Sequence, residues 1–420
     1  MSDPWLFTVD GEMTLRLPSG TYTVESSLVV PGERPDALGL AVLVDPETVL
    51  SGDTEVALDA RKARLLDTTA PQPSQDRQRK LDYTVTYANG DSFRDAYAVS
   101  PRYDDIYVTP TDQVTQGSFT MVNRWRKGEP QLSVDVPGLP PVDVTVQRGS
   151  TLTAGQETLP AVYVGTGAAA DYATLDVRGK AVVVTRSDAV SAMDRAAAAA
   201  AAGAKLLLVV NDGVGVLNES VGPSPIPVAG VRRDAGAQLI ELAKTGTLQL
   251  ITKQVPYASY VYDLTRTYAG QVPDQALSYH PAREDLARID ARYYNVTEAK
   301  QGGGYRYDLT FKPSLGIPER EWYPGTRTEW VTPDQVWAES HVQGTWTDVA
   351  NGHAYAKGST TRLDWFAPAI RPAFNRAFAV QNSRWRDYMT INVQTWSPSA
   401  DVLEHGGYLD WGSVPVNMKL

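Results

Sequence analysis

Four histidines (His280, His341, His353 and His405) and no cysteine limit the chemistry this 420-residue chain can host. Without a thiol there is no thiolate nucleophile, no soft metal ligand and no disulfide. A catalytic zinc takes three closely spaced nitrogen or carboxylate ligands, often from a His-Glu-x-x-His helix. None of the four histidines stands in that pattern or in a tight cluster with carboxylates, so exposed or capped histidines are expected and no metal. Asn89-Gly90-Asp91 offers oxygen ligands for calcium without completing a calcium-loop pattern. Gly165-Thr166-Gly167 follows the apolar run Ala161 to Val164, as a dinucleotide fingerprint would. Such a fingerprint opens directly into a helix, whereas residues 171 to 179 read as a turn, so no cofactor is expected.

Two groups of polar and aromatic residues remain. Arg186, Asn211, Asp212, Arg232 and Arg233 each follow closely on a short apolar run. Ligands of open α/β sheets meet the loops at the carboxyl ends of the strands. These residues therefore either present donors and acceptors to an extended peptide or are ordinary turns and solvated arginines. The second group is aromatic: eight of the ten tryptophans lie between Trp322 and Trp411. Trp322-Tyr323 and Trp365-Phe366 put adjacent rings on opposite faces of a strand, so one of each pair can face out. Trp322 and Trp365 are thus candidates for an aromatic surface that stacks on a glycan. The alternative is that these rings fill a β-sandwich core and pin its edges.

The elements that must position these residues can be read from pattern. Ala181 to Thr185 and Leu206 to Val210 are continuous apolar runs, suited to strands covered on both faces. Between them lies an alanine-rich helix, Met193 to Ala202, with Asp188 as its predicted N-cap and Gly203 where a left-handed C-terminal residue belongs. Pro225-Ile226-Pro227 cannot enter a helix, so Pro227 to Val231 is expected as a short edge or bridging strand. Asp234 is the predicted cap of a second helix with Leu239, Ile240, Leu242 and Ala243 on one face. Strand, helix and strand in this order make a crossover unit.

The rest reads as β-structure, in keeping with 33 glycines and 28 prolines. A β-sandwich module is expected over 1–65, with a hairpin at Pro18-Ser19-Gly20 and a last strand at Thr54 to Leu58. Polar, proline-bearing residues 66–80 read as a linker. A β-rich module follows at 81–147, with a hairpin at Asn89-Gly90. The α/β unit is placed at 148–256 and an aromatic-rich β-sandwich at 257–420. The predicted fold class is therefore multidomain and mainly β, with β-sandwich modules flanking one α/β domain. A net charge of −10 argues against nucleic acid as a partner. No apolar stretch approaches the ~20 residues of a membrane span. Met1 to Trp5 is not a signal peptide, and the strand pattern that starts there suggests a piece of something longer.

The order of elements in 176–253, "DVRGKAVVVTRSDAV" through "AGAKLLLVVNDGVG" to "SPIPVAGVRRDAGAQLIELAK", resembles a protease-associated (PA) domain. With "RLPSGTYTV" and "VALDARKA" before it, and "YVYDLTR", "LSYHP" and "TTRLDWFAPAIRP" after it, the chain resembles the non-catalytic tail of secreted subtilisin-like serine peptidases of actinobacteria. The first hairpin is similar to that of carboxypeptidase-regulatory-like β-sandwiches. The resemblance implies an extracellular parent that cleaves peptide bonds through an activated serine. It also implies a PA module that guides polypeptide substrate or covers the parent's catalytic domain. No catalytic residue carries over. Gly358-Ser359-Thr360 and Gly165-Thr166-Gly167 lack the Gly-Thr-Ser-x-Ala form of that family's nucleophile turn, and His405-Gly406 lacks its flanking pattern. The alternative reading is a free-standing extracellular binding protein for polypeptide or cell-wall glycan. The sequons at Asn218 and Asn295 carry no weight for a bacterial protein.

Overall fold

The computed structural model describes residues 11–295, 301–309 and 316–367, together with 386 and the backbone of the strands Arg371–Ala373, Ser383–Trp385, Tyr388–Thr390, Gln394–Ser397 and His405–Leu409. The protein is mainly β and multidomain, and four large sheets carry it. The first has the order Gly20–Pro31, Leu38–Leu50, Asp105–Val108, Arg64–Thr68, Leu277–Tyr279. The second, which we call the shared sheet, has the order Thr360–Trp365, Ala287–Tyr293, Gly325–Val331, Tyr260–Ala269, Gly117–Gly128, Gln75–Tyr87, Ser92–Val99. Its middle is the antiparallel pair Gly117–Gly128 and Tyr260–Ala269. The C-terminal sheet orders Ile317–Trp322, Gln301–Asp308, Val336–Gln343, Trp346–Ala354, His405–Leu409, Gln394–Ser397, Arg371–Ala373.

The α/β unit is inserted between the two middle strands of the shared sheet. Its own sheet orders Leu132–Asp135, Gln249–Gln254, Gly155–Tyr163, Ala181–Thr185, Leu206–Val210, Val228–Val231, Val144–Val146. The four strands from Gly155–Tyr163 to Val228–Val231 are parallel, and antiparallel strands close both sides. Two apolar clusters cover the two faces, which is why these strands read as unbroken apolar runs. Helix α1 spans Ala192–Ala201 and α2 spans Arg233–Lys244. The Ser191 hydroxyl caps α1 by accepting from Asp194 N, so the cap is Ser191 and not Asp188. Gly203 adopts φ +83°, the left-handed exit that only glycine takes cheaply. The N-cap of α2 is Arg232 and not Asp234, which lies two residues further on, within the first turn. Val228–Val231 is not an edge strand, because Val144–Val146 pairs on its far side.

Several boundaries differ from the sequence reading. The linker placed at 66–80 overlaps two strands, Arg64–Thr68 and Gln75–Tyr87. Its polarity has another cause: Lys127 pairs with Asp76 at 2.5 Å, Arg79 donates to Asp104 O at 2.8 Å and Lys80 pairs with Asp82 at 2.6 Å. The 81–147 module and the 257–420 sandwich share one sheet, and Leu277–Tyr279 completes the first sheet. The α/β sheet starts at Leu132, ahead of residue 148. No hairpin forms at Pro18-Ser19-Gly20. Residues 12–18 lie outside strands with Met13 and Leu15 exposed, and Gly20–Pro31 pairs with Leu38–Leu50. The buried run Ala37–Val44 is the stronger partner, since it brings a core with it. Thr54 to Leu58 is not a strand. The Asn89-Gly90 hairpin is present, with Gly90 at φ +85° and Tyr87 N donating to Asp91 O.

Candidate functional site

The parallel strands Ala181–Thr185, Leu206–Val210 and Val228–Val231 end side by side and deliver Arg186, Asn211 and Arg232 to one rim of the α/β sheet. Arg186 N donates to Val210 O and Asn211 N to Val231 O, which fixes the order. The Arg186 guanidinium reaches Asp188 at 2.6 Å, Asp212 at 3.1 Å and Glu219 at 3.4 Å. Glu219 also takes Arg195, which is buried, at 2.8 Å. Asn211 fastens its own turn: Nδ2 donates to Gly215 O at 3.0 Å and Oδ1 accepts from Gly213 N at 3.2 Å. In the glycine turn before this rim, Asp171 Oδ2 accepts from Thr166 N, Thr166 Oγ1 and Ala168 N. The donors that could have cradled a phosphate are already used by that carboxylate.

The other half of the rim is docked against the loops beside the first sheet. Arg232 Nε donates to Asp143 at 2.9 Å and its Nη1 pairs with Asp104, which also takes Leu38 N at 2.8 Å and Arg34 at 3.2 Å. Burial, followed by the like charge of Arg34, pushes the Arg232 guanidinium down to about 10. Gly215 N donates to Asp36 O and Val216 N to Arg102 O. Gly215 has φ +80°, and a Cβ there would stand 2.5 Å from Arg102 O. Of the five predicted residues, Arg186 and Asp212 form one charged cluster and Asn211 is a turn brace. Arg232 joins two modules, and Arg233 is exposed on the first turn of α2.

The aromatic pair separates. Trp365 is fully buried against His341 and cannot form a surface, because its strand places it inside and Phe366 is buried too. Trp322 is half-buried and packs at 4.5 Å on Tyr257, which is 54% exposed. A groove of about 760 Å³ opens between residues 169–178 and α1, lined by Tyr172, Thr174, Leu175, Arg178, Ala198 and Ala202. No sequence motif marked it; the alanines that line it carried only a helix signal.

A second feature was also missed. The face of the shared sheet toward the C-terminal sheet carries buried ions. Arg124 pairs with Asp263 at 2.9 Å, and Arg126 pairs with Asp263 and Glu319. Arg306 reaches Asp263 at 2.9 Å, Glu339 at 2.8 Å and also Glu329. Arg327 holds Glu321 through two nitrogens at 2.7 and 2.9 Å and meets Glu329 at 2.5 Å. Burial alone would raise these carboxyls. Arg124, Arg126 and Arg306 instead hold Asp263 well below the usual range, and Arg306 with Arg327 does the same for Glu329. Burial pushes the Tyr293 hydroxyl up. The signal that could have found this layer was the charged residue at every second position in "RWRKG", "YRYD" and "RTEW".

His341 sits within that layer, while His280 Nε2 pairs with Asp67 at 2.8 Å and His353 meets Tyr355 edge-on. The side chain of His405 lies outside the described residues. Among the described residues no group of three or more His, Asp or Glu is arranged to hold a metal ion. Asn89 Nδ2 donates to Asp91 at 3.0 Å, so this loop is closed by its own side chains.

Residues 153–239 match the family model of the PA domain. Among solved structures, the chain is similar to an aminopeptidase from Aneurinibacillus sp. strain AM-1, at 23% identity over 36% of this chain and 35% of that one, with a TM-score of 0.28. It is similar to BSAP, a zinc aminopeptidase from Bacillus subtilis, at 20% identity over 42% of this chain and 41% of that one, with a TM-score of 0.26. A third likeness is to the psychrophilic subtilisin-like protease Apa1 from Pseudoalteromonas sp. AS-11, at 13% identity over 37% and 44% of the two chains, with a TM-score of 0.23. The chain spans less than half the length of each of these structures. No curated protein matches it.

Proposed function

We propose that this chain, with its PA domain at residues 153–239, is an accessory region of a secreted peptidase that guides polypeptide or covers the catalytic cleft. The observation that carries this reading is the way the PA domain is mounted. It is inserted between two neighbouring strands and held at a neck where Glu129 N donates to Tyr260 O and Val255 N to Gln131 O. It is held again at the rim through Arg232 and Asp104. A module fixed at two places presents one surface in one orientation, which suits a guide or lid. The parent of that kind is a subtilisin-like serine peptidase, by the resemblance in the sequence. The Arg186–Asp212 cluster and exposed Arg233 are the polar contacts offered to an extended peptide.

Two measurements test it. The purified chain should not hydrolyse casein; hydrolysis that a serine-directed inhibitor abolishes would overturn the accessory role. Labelled unfolded casein should bind by fluorescence anisotropy, and Arg186→Ala with Arg233→Ala should weaken that binding several-fold. Unchanged affinity removes the rim as the contact. A shift of tryptophan fluorescence with a glycan, through Trp322 and Tyr257, would favour a free-standing binding protein instead.

A further inference from the structure

We propose that the outer edge of the first sheet, strand Gly20–Pro31, is an interface between two copies of this chain, and that residues 12–17 of each copy pair as an added strand with the edge of the other. Gly20–Pro31 ends the first sheet and pairs on one side only, with Leu38–Leu50. It is 12 residues long, whereas the other outermost strands of the four large sheets run from three to eight. Exposed edges are ordinarily blunted by lysine, proline or a bulge. This one carries no lysine, its one proline is its last residue, and the register shift near Tyr22 puts the extra residue on Leu38–Leu50. Leu28 and Val29 are exposed on it. Among the described residues, no main-chain hydrogen bond reaches the outer side of the strand. Its alternate N–H and C=O groups are thus offered to another chain.

The chain itself supplies a strand that fits. Met13, Leu15 and Leu17 alternate with Thr14 and Arg16, the period of a half-buried strand. Yet these residues form no strand, and Met13 and Leu15 are exposed. The arm does not fold back on its own edge. The favoured two-residue hairpins take a left-handed φ in the turn, and neither Ser19 nor Gly20 has one. Tyr22 Oη donates to Pro18 O at 2.8 Å and holds 18–22 in another shape. A second copy meets the same demand without that turn. Two such segments running antiparallel about a two-fold axis at Ser19-Gly20 set Leu15 against the partner's Val24 and Leu17 against the partner's Tyr22. The contact is then the same from either side, as a closed dimer requires.

Charge selects the same occupant. Thr23 and Glu25 face the shared sheet: the Thr23 hydroxyl meets Tyr87 Oη at 2.7 Å, and Glu25 lies beside the Asp95 carboxyl. Glu25 Oε2 is buried with no hydrogen-bond partner among the described residues. Two adjacent carboxyls call for a cation. Arg16 is exposed and makes no ion pair among the described residues. In the pairing above, Thr14 stands opposite the partner's Glu25. Arg16 comes one pair further along on the same face, within the diagonal reach of a long side chain. Its guanidinium then meets the partner's Glu25 and the partner's Asp95.

Sedimentation velocity on the whole chain should show a dimer at ~100 μM. Met13→Asp with Leu15→Asp, at exposed positions outside every strand, should leave a monomer with an unchanged circular dichroism spectrum. A monomeric wild type overturns the proposal, and so does a dimer that survives in this variant. Arg16→Glu should raise the dimer Kd about tenfold, by setting a third carboxylate beside Glu25 and Asp95, while Arg16→Lys should leave it nearly unchanged. Equal Kd values in all three proteins overturn the charge contact. The chain has no cysteine, so the register can be trapped chemically. Leu15→Cys and Val24→Cys proteins, mixed and oxidised with glutathione disulfide, should join as a heterodimer, because directly opposed strand residues lie within disulfide reach. Failure to join overturns the pairing. A double variant, Leu15→Cys with Val24→Cys, that oxidises to a monomer places the arm on its own edge and overturns the second copy as its occupant.

Discussion

Phe119, Met121 and Trp125 leave strand Gly117–Gly128 on one face, and Arg124 and Arg126 leave it on the other. The first face meets the first sheet across a hydrocarbon core that includes Val42, Leu66, Tyr83 and Ile106. The second face meets the C-terminal sheet across arginines and carboxylates. One strand thus joins its two neighbours by two different means. Apolar contact depends on area and tolerates approximate fit. The ionic contact depends on every partner being present, because each buried charge is supported only by the others. The apolar side supplies stability. The ionic side carries a dependence on pH that hydrocarbon lacks.

The largest effect should come from breaking the ionic side. Asp263 is 0% exposed and touches three arginines. Asp263→Ala should cost roughly 3–5 kcal/mol in denaturant unfolding. On the apolar side, Leu66→Ala should cost roughly 2–5 kcal/mol, set by how well the site collapses. The two variants should then differ in acid. Asp263, Glu319, Glu329 and Glu339 all have folded values below their ordinary ones, because arginines outweigh burial. Their contribution is present above the ordinary carboxylate range and is lost as pH falls through the folded values. Leu66→Ala should keep the full acid slope of the wild type, and Asp263→Ala should lose part of it.

The smallest effect lies at the rim of the apolar side. Burial, then the negative charge of Asp95, raises the Glu25 carboxyl to about 8. The neutral acid is the form that fits, so stability is full below the ordinary carboxylate value and declines as pH rises toward 8. Glu25→Gln should flatten that decline in a melting-temperature series from pH 5 to 9. An unchanged slope would mean that Glu25 is solvated.

The α/β unit was legible because its signals are local. Runs such as Leu206–Val210, the alanine helix and Gly203 each state their own structure. The shared sheet was not, because its central pairing joins residues about 140 apart, Asp263 with Arg126 for example. No local pattern reports such a distance. The stretch "QDRQRK" read as a linker because polarity usually means solvent, and here it means partners on another strand. Among candidate site residues, Arg186 and Asp212 were read at the ends of neighbouring strands, and their side chains meet at 3.1 Å. The sequence misplaced Trp365, because alternation gives two faces without saying which is inside.

The PA insertion bears on how the chain can fold in time. The shared sheet cannot close its central pair until residues 129–259 have been traversed. If that stretch were a loose loop, its closure would slow the search, since distant contacts fold slowly. It instead has its own apolar clusters, and its ends meet at the Glu129–Tyr260 hydrogen bond. Once it condenses, the two flanking strands are neighbours, and the effective loop between them shrinks to the few residues of the neck. The inserted domain then acts as the turn of an oversized hairpin, and its folding shortens the search by which the surrounding sheet assembles.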